Sequence, residues 1–174
     1  MASIRRHIVI DADPDFVWDA LRQWDALHER LAAGFVVGCQ RDGTARIVTF
    51  ASGAVLREEI VGCDEESRRL AWSIVDGPYT HHNGAAEVFA EGDGRARFVW
   101  TSDLRPDALA EGTSQAMEQG LLAIKRTLEL SCDSAHALAS RERTPRRGGR
   151  SRLESPSVPI CRCGGRRLPG ADCR

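Results

Sequence analysis

The chain has 174 residues, of which 42% are hydrophobic and 28% charged, and its formal net charge is −1. This length fits one domain with a substantial core rather than two. The charge is uneven, because residues 1–140 carry 14 basic and 22 acidic side chains whereas residues 141–174 carry 10 basic and 3 acidic ones. The sequence therefore predicts an acidic folded body followed by a basic tail.

The amino-terminal segment predicts a strand that runs directly into a short helix. Residues 7–11 alternate between buried and solvent-facing positions, as the residues of a half-buried strand do. Asp13 is a good helix N-cap and Pro14 suits the first helical position. Apolar residues then recur at helical spacing, at Phe16, Val17, Ala20, Leu21 and Trp24. We expect the helical pattern to continue over residues 24–31 and to stop at Gly34.

Six further strands are predicted between this helix and residue 104. Turn signals such as Asp42-Gly43, Ser52-Gly53 and Gly92-Asp93-Gly94 separate them, and these short connections favour antiparallel hairpins. The six segments are residues 35–41, 45–51, 54–62, 68–75, 83–91 and 95–104.

A long helix is predicted over residues 107–130. At about 1.5 Å per residue it would be about 36 Å long, enough to cross the whole sheet. One stripe of the helix carries Leu109, Thr113, Met117, Leu121, Ile124 and Leu128.

The order of these elements resembles a known superfamily. The segments HIVIDADPDFVWDAL, GTARIVTFASGAVLREEIVGCDEESRRLAWSIVDGP, RARFVWTSDLRP and GLLAIKRTLEL are similar to the START-like proteins, specifically the polyketide cyclase/dehydrase (SRPBCC) branch. The resemblance covers residues 4–130. It implies an α+β helix-grip fold, in which a curved seven-stranded antiparallel sheet wraps a long C-terminal helix and two short helices follow the first strand. We expect a ligand-binding domain over residues 1–131 and a tail over residues 132–174.

The resemblance also implies an apolar cavity between the concave face of the sheet and the long helix. Some relatives fold and dehydrate a polyketide chain in this cavity, and others only carry a lipid or another small hydrophobic molecule. The chain shows none of the G-x-S-x-G, P-loop, G-x-G-x-x-G or H-E-x-x-H motifs. Two hypotheses therefore stay open: a polyketide cyclase/dehydrase, and a non-catalytic carrier of a hydrophobic ligand.

Strand parity predicts which side chains face the cavity. The inward sets are Leu56, Glu58 and Ile60; Leu70, Trp72 and Ile74; and Phe98, Trp100, Ser102 and Leu104. If residues 51–53 form a three-residue loop, Arg46 lies opposite Glu58 across the hairpin. The ligand-binding residues predicted in this way are Arg46, Glu58, Trp72, Ile74, His82, Trp100, Met117 and Leu121.

Glu58 and His82 are the candidate catalytic residues. Arg46 and Glu58 would form a polar floor that orients a ligand, or Glu58 would act as a general acid or base. The alternative is a structural ion pair. His82 shares parity with Gly84 and would supply a proton at the cavity rim, or it is a solvent-exposed loop histidine.

No cofactor or metal is expected. Cys161, Cys163 and Cys173 lack the paired C-x-x-C spacing of a zinc site. The segment MASIRRHIVIDADP meets charge before any long apolar run, and no segment is apolar enough to span a membrane, so we expect a cytoplasmic protein with reduced cysteines.

The basic tail beyond about Ser140 is rich in Arg, Gly, Pro and Ser and has no apolar period, which predicts disorder. A nucleic-acid-binding arm is a less favoured alternative, because aromatic residues are absent from the tail. An artefactual extension would have the same composition. The expected partner is a small hydrophobic ligand, with no membrane and no nucleic acid, and the expected state is a monomer or homodimer.

Overall fold

In the computed structural model, one curved antiparallel sheet of seven strands packs against one side of a long helix. The structure describes the backbone of residues 1–141 and the side chains of residues 1–134. The strands are β1 (Ala2–Ile10), β2 (Val36–Asp42), β3 (Ala45–Phe50), β4 (Val55–Asp64), β5 (Arg69–Asp76), β6 (His81–Gly92) and β7 (Arg95–Arg105). The helices are α1 (Pro14–Arg22) and α2 (Ala110–Arg141). The strand order is β1-β7-β6-β5-β4-β3-β2. The predicted α+β helix-grip architecture is therefore confirmed.

The start of α1 follows the predicted capping. Asp13 is the N-cap, and its side chain accepts a hydrogen bond of 2.8 Å from the backbone N–H of Asp15. Pro14 occupies the first turn, where its missing N–H costs nothing. The buried face of the helix carries Val17, Trp18, Ala20 and Leu21.

The predicted helical continuation over residues 24–31 is found only over residues 27–31. The helix α1 ends at Arg22, and a single π-helical turn, Leu27–Leu31, follows after a break. In a continuous α-helix the carbonyl of Trp24 would accept from the N–H four residues later. Here Arg46 Nη1 donates to that carbonyl over 2.8 Å instead, so a side chain of β3 takes the place of the helical bond.

The helix α2 is longer than predicted. A 3-10 turn, Asp107–Leu109, leads into it, and it runs to Arg141, past the expected end at residue 130 and past the expected domain boundary at residue 131. Its buried stripe includes Met117, Leu121, Ile124 and Leu128, as the spacing predicted. The tail after Arg141, with its predicted disorder, lies outside the described residues.

The core fills the space between the concave face of the sheet and α2. Its fully buried large side chains come from four strands and both helices: Phe98, Ile10, Leu70, Leu104, Val48, Val17, Met117 and Leu128. Polar contacts hold α2 against β1, since Arg6 Nη2 donates to Ser114 Oγ over 2.7 Å and Lys125 Nζ donates to the carbonyl of Val9 over 2.7 Å.

The strands β5 and β6 separate along their length. Their pairing extends from Arg69 opposite Glu87 to Trp72 opposite Gly84 and stops there. By contrast, β6 and β7 pair from His81 to Gly92. The divergence of β5 from β6 leaves a gap at one end of the sheet, and this gap decides where two of the predicted site residues lie.

Candidate functional site

A buried ion pair lies on the concave face of the sheet. Arg46 of β3 and Glu58 of β4 are opposite each other in the strand register, as predicted. Arg46 Nε donates to Glu58 Oε2 over 2.6 Å, and the two side chains are only 3% and 7% exposed. Because both point into the interior, the pair places a donor and an acceptor on an otherwise apolar surface.

The guanidinium of Arg46 has two further contacts. It donates to the carbonyl of Trp24, and it lies over the ring of Trp72 with 5.4 Å between Cζ and the ring centroid. Cys39 Sγ also lies 3.7 Å from the Trp24 carbonyl, and burial raises the pKa of this thiol, so it stays a protonated donor. The ion pair is thereby fixed in position by neighbouring elements.

Two tryptophan rings lie beside the pair. Trp72 of β5 and Trp100 of β7 have centroids 6.1 Å apart and are tilted by 52°. Trp72 packs flat on the backbone of Gly84 in β6, where a Cβ would lie 2.7 Å from its ring. Both rings lie on the interior face of the sheet, the face that strand parity predicted.

A cleft of about 60 Å³ lies between these residues and α2. Arg46 and Glu58 are the only charged side chains among the described residues that line it. Its apolar walls include Leu27, Leu31 and Phe35 from the segment after α1, Val48 and Phe50 from β3, Trp72, Phe98 and Trp100 from the sheet, and Gly120 and Ile124 from α2. The cleft can hold a few water molecules in its present shape and is smaller than a typical ligand pocket of roughly 300–1,000 Å³.

Four of the predicted ligand-binding residues lie away from this cleft. Met117 packs in a separate cluster with Ile4 and Leu104, and Leu121 lies in the main core. Ile74 and His82 instead line a polar groove of about 530 Å³ at the gap between β5 and β6. Met117, Leu121 and His82 are buried and Ile74 is partly exposed, but helical spacing and strand parity do not locate the empty space.

His82 bridges the gap between the separated strands. Its Nδ1 accepts from the backbone N–H of Ile74 over 3.2 Å, so Nε2 carries the proton of the neutral ring and donates to Ser102 Oγ over 3.0 Å. Burial, with a smaller contribution from neighbouring His81, lowers the pKa of His82 from 6.5 to about 4. The ring is thus buried and neutral near pH 7, which does not support the expected role as an acid at the cleft rim.

Several residues of the cleft were not predicted. Phe35 and Phe50 form an edge-to-face pair with centroids 5.4 Å apart. Gly120 is buried beside the apolar stripe of α2, and a glycine inside a helical pattern is a sequence signal for a close approach. Phe35 gave no such signal, because it lies between the π-helical turn and β2, outside any strand or helix period.

A family profile described as "Polyketide cyclase / dehydrase and lipid transport" matches residues 1–129. The chain belongs to this family. The resemblance inferred from the sequence is therefore confirmed. No curated protein matches the chain.

Solved structures share the family fold. An uncharacterized protein from Bacillus thuringiensis is 17% identical with a TM-score of 0.66, covering 73% of this chain and 98% of that one. A protein from Thermobifida fusca is 24% identical with a TM-score of 0.60, covering 74% and 91%. The di-domain ARO/CYC BexL from the BE-7585A biosynthetic pathway is 15% identical with a TM-score of 0.67, covering 78% of this chain and 48% of that one. At these identities the likeness shows the fold alone.

The described part of this family member offers no metal centre. Within it, no three His, Cys, Asp or Glu side chains are grouped so that they could hold a metal ion. Nor does any helix among the described residues combine the length and apolar character needed to cross a membrane.

Proposed function

We propose that the protein binds a small hydrophobic molecule, polyketide-like or lipid-like, whose carbonyl or enol oxygens are recognised by Arg46. Glu58 orients the guanidinium and the ligand. The observation that supports this proposal most strongly is the buried Arg46–Glu58 pair at the edge of a cleft with otherwise apolar walls. Apolar walls with a few well-placed polar groups are the usual composition of a ligand site.

The donor inventory of Arg46 supports oxygen recognition. A guanidinium has five N–H donors in a planar fork. Nε donates to Glu58 and Nη1 donates to the Trp24 carbonyl, so a ligand oxygen can be accommodated without breaking either bond. A hydrogen bond from a charged donor is stronger than one from a neutral donor, and it therefore favours oxygen-bearing ligands over hydrocarbons of the same shape.

Polyketide cyclisation or dehydration is the second candidate function. The observation that favours it is the carboxylate of Glu58, which is buried next to the cleft and would be in reach of an acidic C–H or enol proton. The short bond from Arg46 occupies Oε2, however, so this oxygen is already engaged as an acceptor. Ligand binding is therefore better supported than catalysis. A protein that only carries its ligand is the alternative to an enzyme.

The binding test compares two probes of nearly equal shape, 2-acetylnaphthalene and 2-isopropenylnaphthalene, in which a CH2 group replaces the ketone oxygen. Both are titrated against the full chain and monitored by tryptophan fluorescence. We expect the ketone to bind about tenfold more tightly, because only it accepts from Arg46. Arg46→Met should abolish this preference, and Trp100→Ala should reduce the fluorescence response. Equal affinity for both probes in the wild-type protein would contradict the proposal.

Glu58→Gln separates the carrier from the enzyme. Native mass spectrometry of the purified protein first identifies any co-purifying molecule, and turnover is then measured on that molecule. A carrier keeps its affinity and shows no turnover in either protein, whereas an enzyme binds but stops turning over in the variant. Glu59→Gln, on the same strand but directed away from the cleft, is the matched control.

A further inference from the structure

Gly120 of α2 occupies a position where a Cβ would collide with the ring of Trp100 and crowd the ring of Phe35. A Cβ at this position would lie 2.8 Å from Trp100 Cζ3 and 3.1 Å from Phe35 Cε1. Distances below 3.0 Å are essentially never found for real Cβ atoms. The two rings therefore rest on the bare backbone of the helix.

The same two rings form the exposed side of the cleft. Trp100 and Phe35 both line it, and both are partly exposed, whereas Val48 and Phe98 behind them are fully buried. Each ring has an aromatic neighbour on the sheet side, Trp72 for Trp100 and Phe50 for Phe35. The rings thus fill the space between the helix and the polar floor.

We infer that Gly120 is the residue that determines which ligands the cleft admits. This inference rests on the proposed function and deepens it. The cleft of about 60 Å³ accommodates a ligand only if Trp100 and Phe35 move off Gly120. The space that they vacate is a flat slot between the backbone of α2 and the aromatic rings. The ligand class selected is therefore flat, ring-bearing molecules with an oxygen directed toward Arg46.

The experiment measures the association rate of 2-acetylnaphthalene with the full chain by stopped-flow fluorescence. Gly120→Ala places a methyl group in this slot, so we expect association to be roughly threefold to tenfold slower. Phe35→Ala removes one of the two rings and should instead make association faster. Gly112→Ala is the matched control, because Gly112 lies on the same helix with no atom within 4 Å of its Cβ position. Its association rate should equal that of the wild-type protein.

Two results would overturn the inference, and they differ from each other. Saturable binding by all four proteins with equal rates for Gly120→Ala and Gly112→Ala removes the role of Gly120 and leaves the proposed function intact. Absence of saturable binding by every protein removes the proposed function together with this inference. Far-UV circular dichroism and the melting temperature confirm that each variant is folded.

Discussion

The contacts of Arg46 explain how a charged side chain is tolerated in the core of this protein. Moving an ion pair out of water costs several kcal/mol per ion, and the cost is offset only where geometry and further hydrogen bonds are good. The short bond to Glu58 and the bond to the Trp24 carbonyl meet this requirement. Arginine reaches these two acceptors from two separate nitrogens, Nε and Nη1, whereas the lysine of Arg46→Lys would have to serve both from a single atom.

At the same scale, the neutral ring of His82 predicts a pH-dependent stability. An unfolded histidine titrates near 6.5 and the folded one near 4, so between these values the unfolded chain binds more protons. The stability that the neutral His82 ring contributes is therefore complete above about pH 6.5 and is lost as the pH falls toward 4. We expect the free energy of unfolding to drop by at most about 3 kcal/mol over this interval.

Urea denaturation at several pH values measures this effect in the wild-type protein and in His82→Gln. Glutamine offers an amide oxygen to the N–H of Ile74 but does not titrate in this range. The difference between the two stability curves isolates the histidine. Parallel curves for the two proteins would contradict the prediction.

At the scale of elements, Gly84 makes room for the ring of Trp72 where β5 and β6 are paired. Gly84 of β6 faces the ring of Trp72, and its missing side chain lets the ring lie on the backbone. The pairing of β5 with β6 ends at these two residues. The ring therefore covers the point where the strands begin to separate, and it also lies beneath the guanidinium of Arg46.

Gly84→Ala should destabilise the protein, because a Cβ would lie 2.7 Å from Trp72 Cε2 and 2.9 Å from Nε1. Overpacking of this kind costs typically about 1–3 kcal/mol. Gly62→Ala is the control on β4, since nothing lies within 4 Å of its Cβ position. Chemical denaturation compares the two variants, and equal stability would show that the ring moves without cost.

At the scale of the whole molecule, α2 is held by polar contacts on more than one side. Glu129 Oε1 accepts from both Lys125 and the backbone N–H of Asp11, next to β1. The backbone N–H of Ala33 donates to Thr127 Oγ1 over 3.1 Å, and Tyr79 bonds Thr113 near the start of the helix. Among the described side chains, every buried apolar one belongs to residues 4–128 of the sequence.

Removal of residues 142–174 should therefore change the free energy of unfolding by less than about 1 kcal/mol. The buried core and the α2 contacts seen among the described residues belong to the part of the chain that remains. Thermal and urea denaturation of the full and shortened chains test this expectation. A larger loss would mean that the tail packs on the body, and the proposed boundary after the ligand-binding domain would move toward the carboxyl end.

The fold could be predicted in detail because its signals are local. Alternating strands, glycine turns and the stripe of α2 depend on neighbours a few residues away, and the order of elements matched a family. The pairing of Arg46 with Glu58 was also accessible, since a three-residue hairpin loop determines its register. Half of the candidate site was therefore determined by the sequence.

The other half was decided by contacts between distant segments. The break after α1 depends on Arg46 reaching the carbonyl of Trp24, and the placement of His82 depends on β5 leaving β6 after Trp72. The volume of the cleft depends on where Trp100 and Phe35 come to rest on Gly120. Strand and helix periods predict which face of an element a side chain occupies. The sequence by itself therefore determined the sheet, the long helix and the inward-facing charges. Empty space is what remains after non-neighbouring side chains have packed, and only the tertiary structure could decide it.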